Sequence, residues 1–381
     1  MRSTKAVIYM DNLRSNLKTI RSCISKTTKM CVSVKADGYG HGAVPVAKAA
    51  VECGAEFLAV ATIDEGIELR NAGITADILV LSLCTPEEMK AAVTHSLTPF
   101  VFDSEYISLF DKAAAGSGKR FSVHLAVDTG MGRIGCLPED AAEFAKQIAS
   151  SKHLVLGGMC THFAVSDSLK PGDPEYTVQQ FSLFKNAVNA VKKAGIQPGI
   201  CHCSSSAAFL ATPEMQMDMI RPGIIVYGYY PDQISREYLE NKGVKFLLKP
   251  VMALETAVVA IRPFTPGRSV SYGRTWTASE NTDIAVLPVG YADGLLRRCS
   301  PGLSVAVNGS AYPVRGRICM DQCMVDIGRS NTRVKRWDTA VLFGPSESGA
   351  LQTADDIARA TGTIPYEILT SVSRRVTRVY R

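Results

Sequence analysis

With 381 residues, the chain exceeds the roughly 250–300 at which one hydrophobic core stops growing, so two domains are expected. Hydrophobic residues at 46% and charged residues at 20% are the balance of an ordinary soluble enzyme with ample core. A net charge of +6 without any block of like charges argues against a nucleic-acid partner and supports only a weak preference for anionic small molecules.

In chain order, residues 1–12 lack the apolar stretch of a signal peptide. No run approaches the ~20 apolar residues of a membrane span. The eleven cysteines therefore read as reduced thiols of a cytoplasmic protein. A strand-like run at residues 5–10 comes first. Residues 31–34 then read as a buried strand that stops at Lys35, and Gly38, Gly40 and Gly42, with Tyr39 and His41 between them, make an open loop. A lysine at the carboxyl end of a buried strand is desolvated, which lowers its pKa and frees the amine as a nucleophile, as a Schiff-base lysine requires. The glycines let backbone N–H groups approach an anion closely. A plain glycine turn after a strand fits the same residues.

Further strand-like runs fall at residues 57–61, 78–83, 98–102, 121–127, 154–160, 200–203 and 220–227, and helical stretches at 43–53, 64–71, 86–93, 104–115, 138–150, 175–194 and 205–210. Pro86 and Pro138 mark helix starts, and Gly73 and Gly195 mark helix ends. Eight strands alternating with helices is the count of a closed parallel (β/α)8 barrel, whose active site lies at the carboxyl ends of the strands. Lys35, His162, Ser206 and Arg221 all fall at or just after predicted strand ends. Cys160, His162, Cys201, His202 and Cys203 alternate along two of these strands; their spacing matches no common zinc pattern, so buried core thiols are the default and no metal is expected.

From about residue 251 the rhythm changes to strands separated by turns at Thr265-Pro-Gly, Asn308-Gly-Ser and residues 341–344, with helices only at 354–360 and 366–371. The expected division is a barrel over residues 11–239 and a mainly β domain over 240–381, with the strand in residues 1–10 a candidate to join the second sheet. Polar segments cluster where a cofactor enzyme needs them: Asp128-Thr-Gly-Met-Gly-Arg133 after the fifth strand, Arg221-Pro-Gly-Ile224 after the eighth, and Ser271-Tyr-Gly273, Gly290-Tyr-Ala-Asp-Gly294, Gly316-Arg-Ile-Cys-Met-Asp-Gln322 and Pro365-Tyr-Glu367 in the β domain.

Val34-Lys-Ala-Asp-Gly-Tyr-Gly-His41, Thr161-His-Phe163, Arg221-Pro-Gly223, Ser271-Tyr-Gly273, Gly290-Tyr-Ala-Asp-Gly294 and Ile318-Cys-Met-Asp-Gln322 together resemble, in the expected order, the motifs of bacterial alanine racemase. The resemblance runs from Asp11-Asn-Leu to the arginine-rich C-terminus. It implies a fold type III pyridoxal 5'-phosphate enzyme, a homodimer with composite sites, and L- and D-alanine as substrates for D-alanine supply to peptidoglycan. By the same resemblance, Lys35 would hold the cofactor and move the α-proton on one face, with Tyr272 from the partner subunit acting on the other. Two bases on opposite faces suit racemisation, because each enantiomer presents its Cα–H to a different side. Tyr39, Ser206, Gly223, Ile224 and Tyr366 would bind the phosphate. Arg133 and the Met320 N–H would bind the substrate carboxylate, and Tyr291, Cys319 and Asp321 would support the site. His162 would link Arg221 to Tyr272.

The resemblance pairs Arg221 with the pyridine nitrogen, where a permanent cation keeps that nitrogen unprotonated. Fold relatives that decarboxylate amino acids place an acid there instead, which makes the ring a stronger electron sink. A non-enzymatic pyridoxal-phosphate-binding barrel would have no use for the β domain. Tyr366, with Met320, resembles the residues that narrow the pocket to alanine; serine or broad-specificity racemisation is the alternative, since an apolar pocket rejects an added hydroxyl only by about a hundredfold. Two positions depart from the family. Ser204-Ser205-Ser206 stands where many members have Ala-Asn-Ser, which leaves the phosphate hydroxyl but shortens residue 205. Ala126 stands where many have a carbamylated lysine that fixes the carboxylate-binding arginine. An unpaired guanidinium in a desolvated site is costly, so chloride or another side chain is expected beside Arg133, or else Arg133 is simply looser.

Overall fold

A computed structural model describes residues 2–300 and 302–381. Strand β1 (Lys5–Ile8) is followed by the barrel strands β2 (Lys29–Ser33), β3 (Phe57–Val60), β4 (Asp77–Val80), β5 (Thr98–Val101), β6 (Phe121–Ala126), β7 (Leu154–Cys160), β8 (Ile200–His202) and β9 (Met219–Ile220). These eight form one parallel sheet in the order β8-β7-β6-β5-β4-β3-β2-β9. The ring closes through a parallel bridge between Ser205 and Arg221, where the Arg221 N–H donates to the Ser204 carbonyl at 2.8 Å.

Period-two alternation assigns the two faces. Met30, Val32, Leu58, Val60, Ile78 and Val80 pack in the main core with the helices. Their neighbours Cys31, Phe57, Ala59, Leu79 and Met219 make a separate layer, and Phe100, Ala126 and Cys160 another, which fill the barrel interior. Helix starts follow local capping chemistry: Thr62 accepts from the Glu65 N–H before Ile63–Asn71, Pro86 opens Pro86–Thr94, and Asp103 accepts from the Tyr106 N–H before Ser104–Ala114.

Beyond the barrel, strand β10 (Met252–Ala257) lies in a six-stranded sheet with Thr339–Phe343, Ser304–Val307 and Ser310–Pro313 on one side and β1 and Thr377–Tyr380 on the other. β1 is thus antiparallel to β10 and parallel to the C-terminal strand, joining the second sheet. Three expectations need correction. The eighth barrel strand is two residues long, because Pro222, whose carbonyl still accepts the Ser33 N–H at 3.0 Å, has no N–H to donate, and Ile224–Tyr227 coils into a 3-10 turn. The helix expected at Pro138 begins at Ala141. Residues 341–343 are strand, with the turn starting only at Gly344.

Candidate active site

The chain leaves β2 and reaches Lys35, which opens a left-handed turn: Ala36, Asp37, Gly38 and Tyr39 have φ of 52°, 54°, 59° and 51°. The glycines do not form an anion cradle. The N–H of Gly38 donates to Val34, that of Gly40 to Ala36, and that of Gly42 to Asp37, at 2.8–2.9 Å, so the turn consumes its own donors. Strain in the turn is held from outside. Glu65 accepts the Ala36 N–H at 2.7 Å, Asp37 accepts the Ala43 N–H at 2.9 Å, and Arg378 donates to the Gly40 carbonyl at 2.9 Å. A Cβ at Gly40 would lie 2.4 Å from the Leu369 carbonyl oxygen, so only glycine fits there. Burial pushes the Lys35 amine below its ordinary pKa, Arg133 and Arg221 add to the shift, and Glu65 opposes it.

A candidate anion site follows β9. Ser206 Oγ accepts the Gly223 N–H at 2.8 Å, and a Cβ on Gly223 would meet Tyr39 Oη at 2.7 Å. Tyr39 Oη reaches Ser33 Oγ at 3.4 Å, and the Tyr366 ring stands 5.9 Å from that of Tyr39. Hydroxyls of Tyr39 and Ser206 thus converge with the backbone at Gly223 and Ile224, a donor set suited to a phosphate.

Arg221 is almost wholly buried and makes no salt bridge among the described residues. Its guanidinium donates to His202 Nδ1 at 2.7 Å, His162 Nδ1 at 3.2 Å, and the carbonyls of Thr161 and Cys203 at 2.9 and 3.3 Å. Because arginine can only donate, both Nδ1 atoms are acceptors, and each of these imidazoles carries its proton on Nε2. His202 Nε2 then donates to His124 Nδ1 at 2.9 Å. Burial drives His124 down to about 3 and His202 well below its usual value, with Arg221 adding in each case, so both stay neutral. The half-buried His162 is pushed to about 3 by desolvation first and Arg221 second.

His124 and His202 are the residues that sequence reasoning missed in this role. His202 drew notice only as a possible metal ligand, and alternation on β6 and β8 was the available signal. Among the described residues no group of three or more His, Cys, Asp or Glu side chains is arranged to hold a metal. Cys160, Cys201 and Cys203 are held as neutral thiols, each pushed by burial to about 12.

Lys35, Tyr39, Arg133, His162, Ser206, Arg221, Gly223, Ile224 and Tyr366 line one cavity of about 510 Å³. Tyr272, Tyr291, Cys319, Met320 and Asp321 do not line it. They form a second cluster in the β domain: the Tyr291 N–H donates to Cys319 and the Ala292 N–H to Met320 at 3.1 and 3.0 Å, and Ser271 Oγ donates to the Arg317 carbonyl at 2.6 Å. Tyr272 and Met320 are 69% and 53% exposed. Arg133 is also exposed and has no hydrogen-bond or ion-pair partner among the described residues, which corrects the premise that it is desolvated within one chain. Ala126 packs with Phe100 and Cys160.

A parallel barrel whose mouth holds a desolvated lysine, paired hydroxyls beside a backbone turn and a buried permanent cation has the donor chemistry that a phosphorylated carbonyl cofactor would need. The family profile for the alanine racemase N-terminal domain matches residues 8–231, and that for the C-terminal domain matches residues 251–380. The chain is 47% identical to an alanine racemase of Treponema denticola over 382 residues, covering 100% of this chain and 98% of that protein. The structure superposes on an alanine racemase of Clostridium difficile 630 with a TM-score of 0.92 and 38% identity, covering 100% of this chain and 96% of that one. It also superposes on a complex of a Clostridium difficile 630 alanine racemase with cycloserine, with a TM-score of 0.90, 36% identity and coverage of 100% and 96%. The chain belongs to the alanine racemase family, whose members are pyridoxal-phosphate-dependent isomerases.

Proposed function

We propose that this chain interconverts L-alanine and D-alanine with pyridoxal 5'-phosphate held at the barrel mouth, as a cytoplasmic homodimer whose two sites are each completed by the other subunit. The proposed division between barrel and β domain falls near residue 240. The product would be D-alanine for peptidoglycan. When bound, the cofactor supplies the electron sink that loosens the substrate Cα–H bond.

The chain's own residues divide the remaining work. Tyr39, Ser206, Tyr366 and the N–H groups of Gly223 and Ile224 hold the phosphate. Lys35 Nζ, its pKa lowered by burial, anchors the cofactor and then carries a proton on one face. Tyr272 of the partner subunit carries it on the other. Arg133 and the Met320 N–H, which makes no hydrogen bond among the described residues, seat the substrate carboxylate. His162, with its proton on Nε2, relays the fixed orientation of Arg221 toward the tyrosine. A 69% exposed tyrosine and a free backbone donor, both outside the cavity, support a site shared between subunits.

The observation that carries the reading is Arg221, a buried cation held only by neutral imidazoles and carbonyls. A donor that cannot be deprotonated cannot protonate the ring nitrogen, which favours restrained carbanion formation and clean return of the proton over decarboxylation. Purified holoenzyme given L-alanine is expected to form D-alanine without releasing carbon dioxide. Carbon dioxide release without inversion would overturn the proposal.

A further inference from the structure

Outside the cavity, one carboxylate among the described residues is completely buried. The Asp293 side chain has no solvent exposure. Its Oδ2 accepts the Gly290 N–H and Arg2 Nη2, both at 2.9 Å, and its Oδ1 accepts Arg375 Nε at 2.7 Å and a short bond from Arg2 Nη1. Arg375 continues through Nη2 to Asp321 Oδ1 at 2.7 Å. Arg2 also donates to the Pro288 carbonyl at 2.7 Å, and the Asp293 carbonyl accepts the Ser373 N–H at 3.1 Å. One carboxylate therefore gathers residues from near both ends of the chain around the turn at residues 290–294.

That turn is locked back to back with the turn at 318–322. Beyond the Tyr291–Cys319 and Ala292–Met320 backbone bonds, a Cβ on Gly290 would lie 2.3 Å from the Cys319 oxygen and 2.4 Å from the Met320 oxygen. Neither turn can shift without the other, and Asp293 holds the first by its backbone and the second through Arg375 and Asp321. Burial alone would raise the Asp293 pKa, but the bonds from Arg2, Arg375 and Gly290 outweigh it and hold the group below its ordinary value. A buried charge is a weak source of net stability; its firmer use is to select one geometry. The geometry selected here is that of Tyr291, 41% exposed, and Met320, 53% exposed.

We propose that Asp293 is a positioning residue for the partner subunit's site, fixing through Arg2 and Arg375 the paired turns that present Tyr291 and the Met320 N–H to the substrate carboxylate. The proposal rests on the shared-site reading above. It gives Asp293 a signature that a merely structural role lacks: its loss acts in trans.

Asp293→Asn puts an amide donor against the Gly290 N–H or a guanidinium. The holoenzyme homodimer is expected to show KM for alanine raised about 10- to 100-fold, the scale of a misplaced binding group, with kcat changed less. Differently tagged subunits then make hybrid dimers. In a hybrid of Lys35→Ala with Asp293→Asn, one site combines an intact Lys35 with intact β-domain turns, so it should recover wild-type KM at half the wild-type number of sites. Arg2→Gln, which removes only a half-exposed terminal guanidinium, should give the same trans pattern with a smaller KM rise, and it serves if Asp293→Asn does not fold. A hybrid that keeps the raised KM, or a homodimer with unchanged KM, overturns the proposal. A Lys35→Ala with Tyr272→Phe hybrid should regain activity; if it stays inactive, the shared-site reading fails and takes this proposal with it.

Discussion

At the barrel mouth, Lys35, Arg221 and His162 are wrapped by the chain that supplies them, and the Gly38, Gly40 and Gly42 N–H groups of the Lys35 turn are already paired. The turns of the β domain present the opposite condition: Tyr272 and Met320 stand 69% and 53% exposed, and the Met320 N–H has no partner among the described residues. The barrel uses burial to tune its groups, lowering the lysine and holding two imidazoles neutral. The turns use backbone rigidity and a buried carboxylate to hold their groups out into solvent. In the proposed homodimer the first region would form one half of a site, and the second would supply the other half to a second copy.

Removing the barrel's nucleophile breaks this comparison most severely. Lys35→Ala is expected to reduce racemisation by about 10⁴-fold or more, since anchoring and one proton transfer are lost together. Thermal unfolding of the apo-protein should show a Tm at least as high as before, because a desolvated amine has been deleted. A large fall in Tm would mean that Lys35 is a structural residue.

Tyr272→Phe should cost about 10²- to 10⁴-fold in rate, the scale of one general acid–base group. Unfolding in denaturant should change by no more than about 0.5 kcal/mol, as for an exposed site. Rates measured from each enantiomer would show whether the tyrosine serves the L-isomer face.

Acid should distinguish the two regions through linkage. His41 is pushed down to about 4 and His124 to about 3, chiefly by burial, while a free imidazole titrates near 6.5. Between those values the unfolded chain binds more protons than the folded one, so stability rises with pH through that window and is lost as pH falls below about 6.5. Each such histidine contributes roughly 1.4 kcal/mol per pH unit there. Unfolding free energies from denaturant titrations at pH 7.5 and 5.5 should therefore differ by a few kcal/mol, and His124→Phe should shrink the difference.

The smallest effect concerns Arg133, exposed and unpaired among the described residues, next to Ala126, which has no amine to carbamylate. Activity should be indifferent to bicarbonate. Apparent alanine affinity should improve no more than about fivefold as chloride is added at constant ionic strength, the ceiling for an exposed ion pair worth about 1 kcal/mol. A flat titration would leave the substrate carboxylate as the sole counter-charge of Arg133.

Local pattern carried much of this molecule. Seven barrel strands, their helices and the position of Lys35 follow from short-range alternation, capping and glycine or proline punctuation, because those features are decided within a few residues. The eighth strand was expected over residues 220–227, but only Met219–Ile220 pair, since a two-residue ladder and a bridge at Arg221 leave no periodic trace of their extent. The glycines after Lys35 were legible as a special turn, yet their N–H groups serve the turn itself, and only the folded backbone reveals that.

The sequence by itself determined the order of the elements, the lysine at a strand end and the motifs that resemble the alanine racemase family. Tertiary structure decided which groups meet. His124 lies within β6, His202 ends β8 and Arg221 follows β9, and the tautomers of His162 and His202 are dictated by an arginine that can only donate. Asp293 meets Arg2 and Arg375 across nearly the full length of the chain. Contacts at such separation are set by closure of the barrel and by β1 lying between β10 and the C-terminal strand, and no local periodicity encodes them.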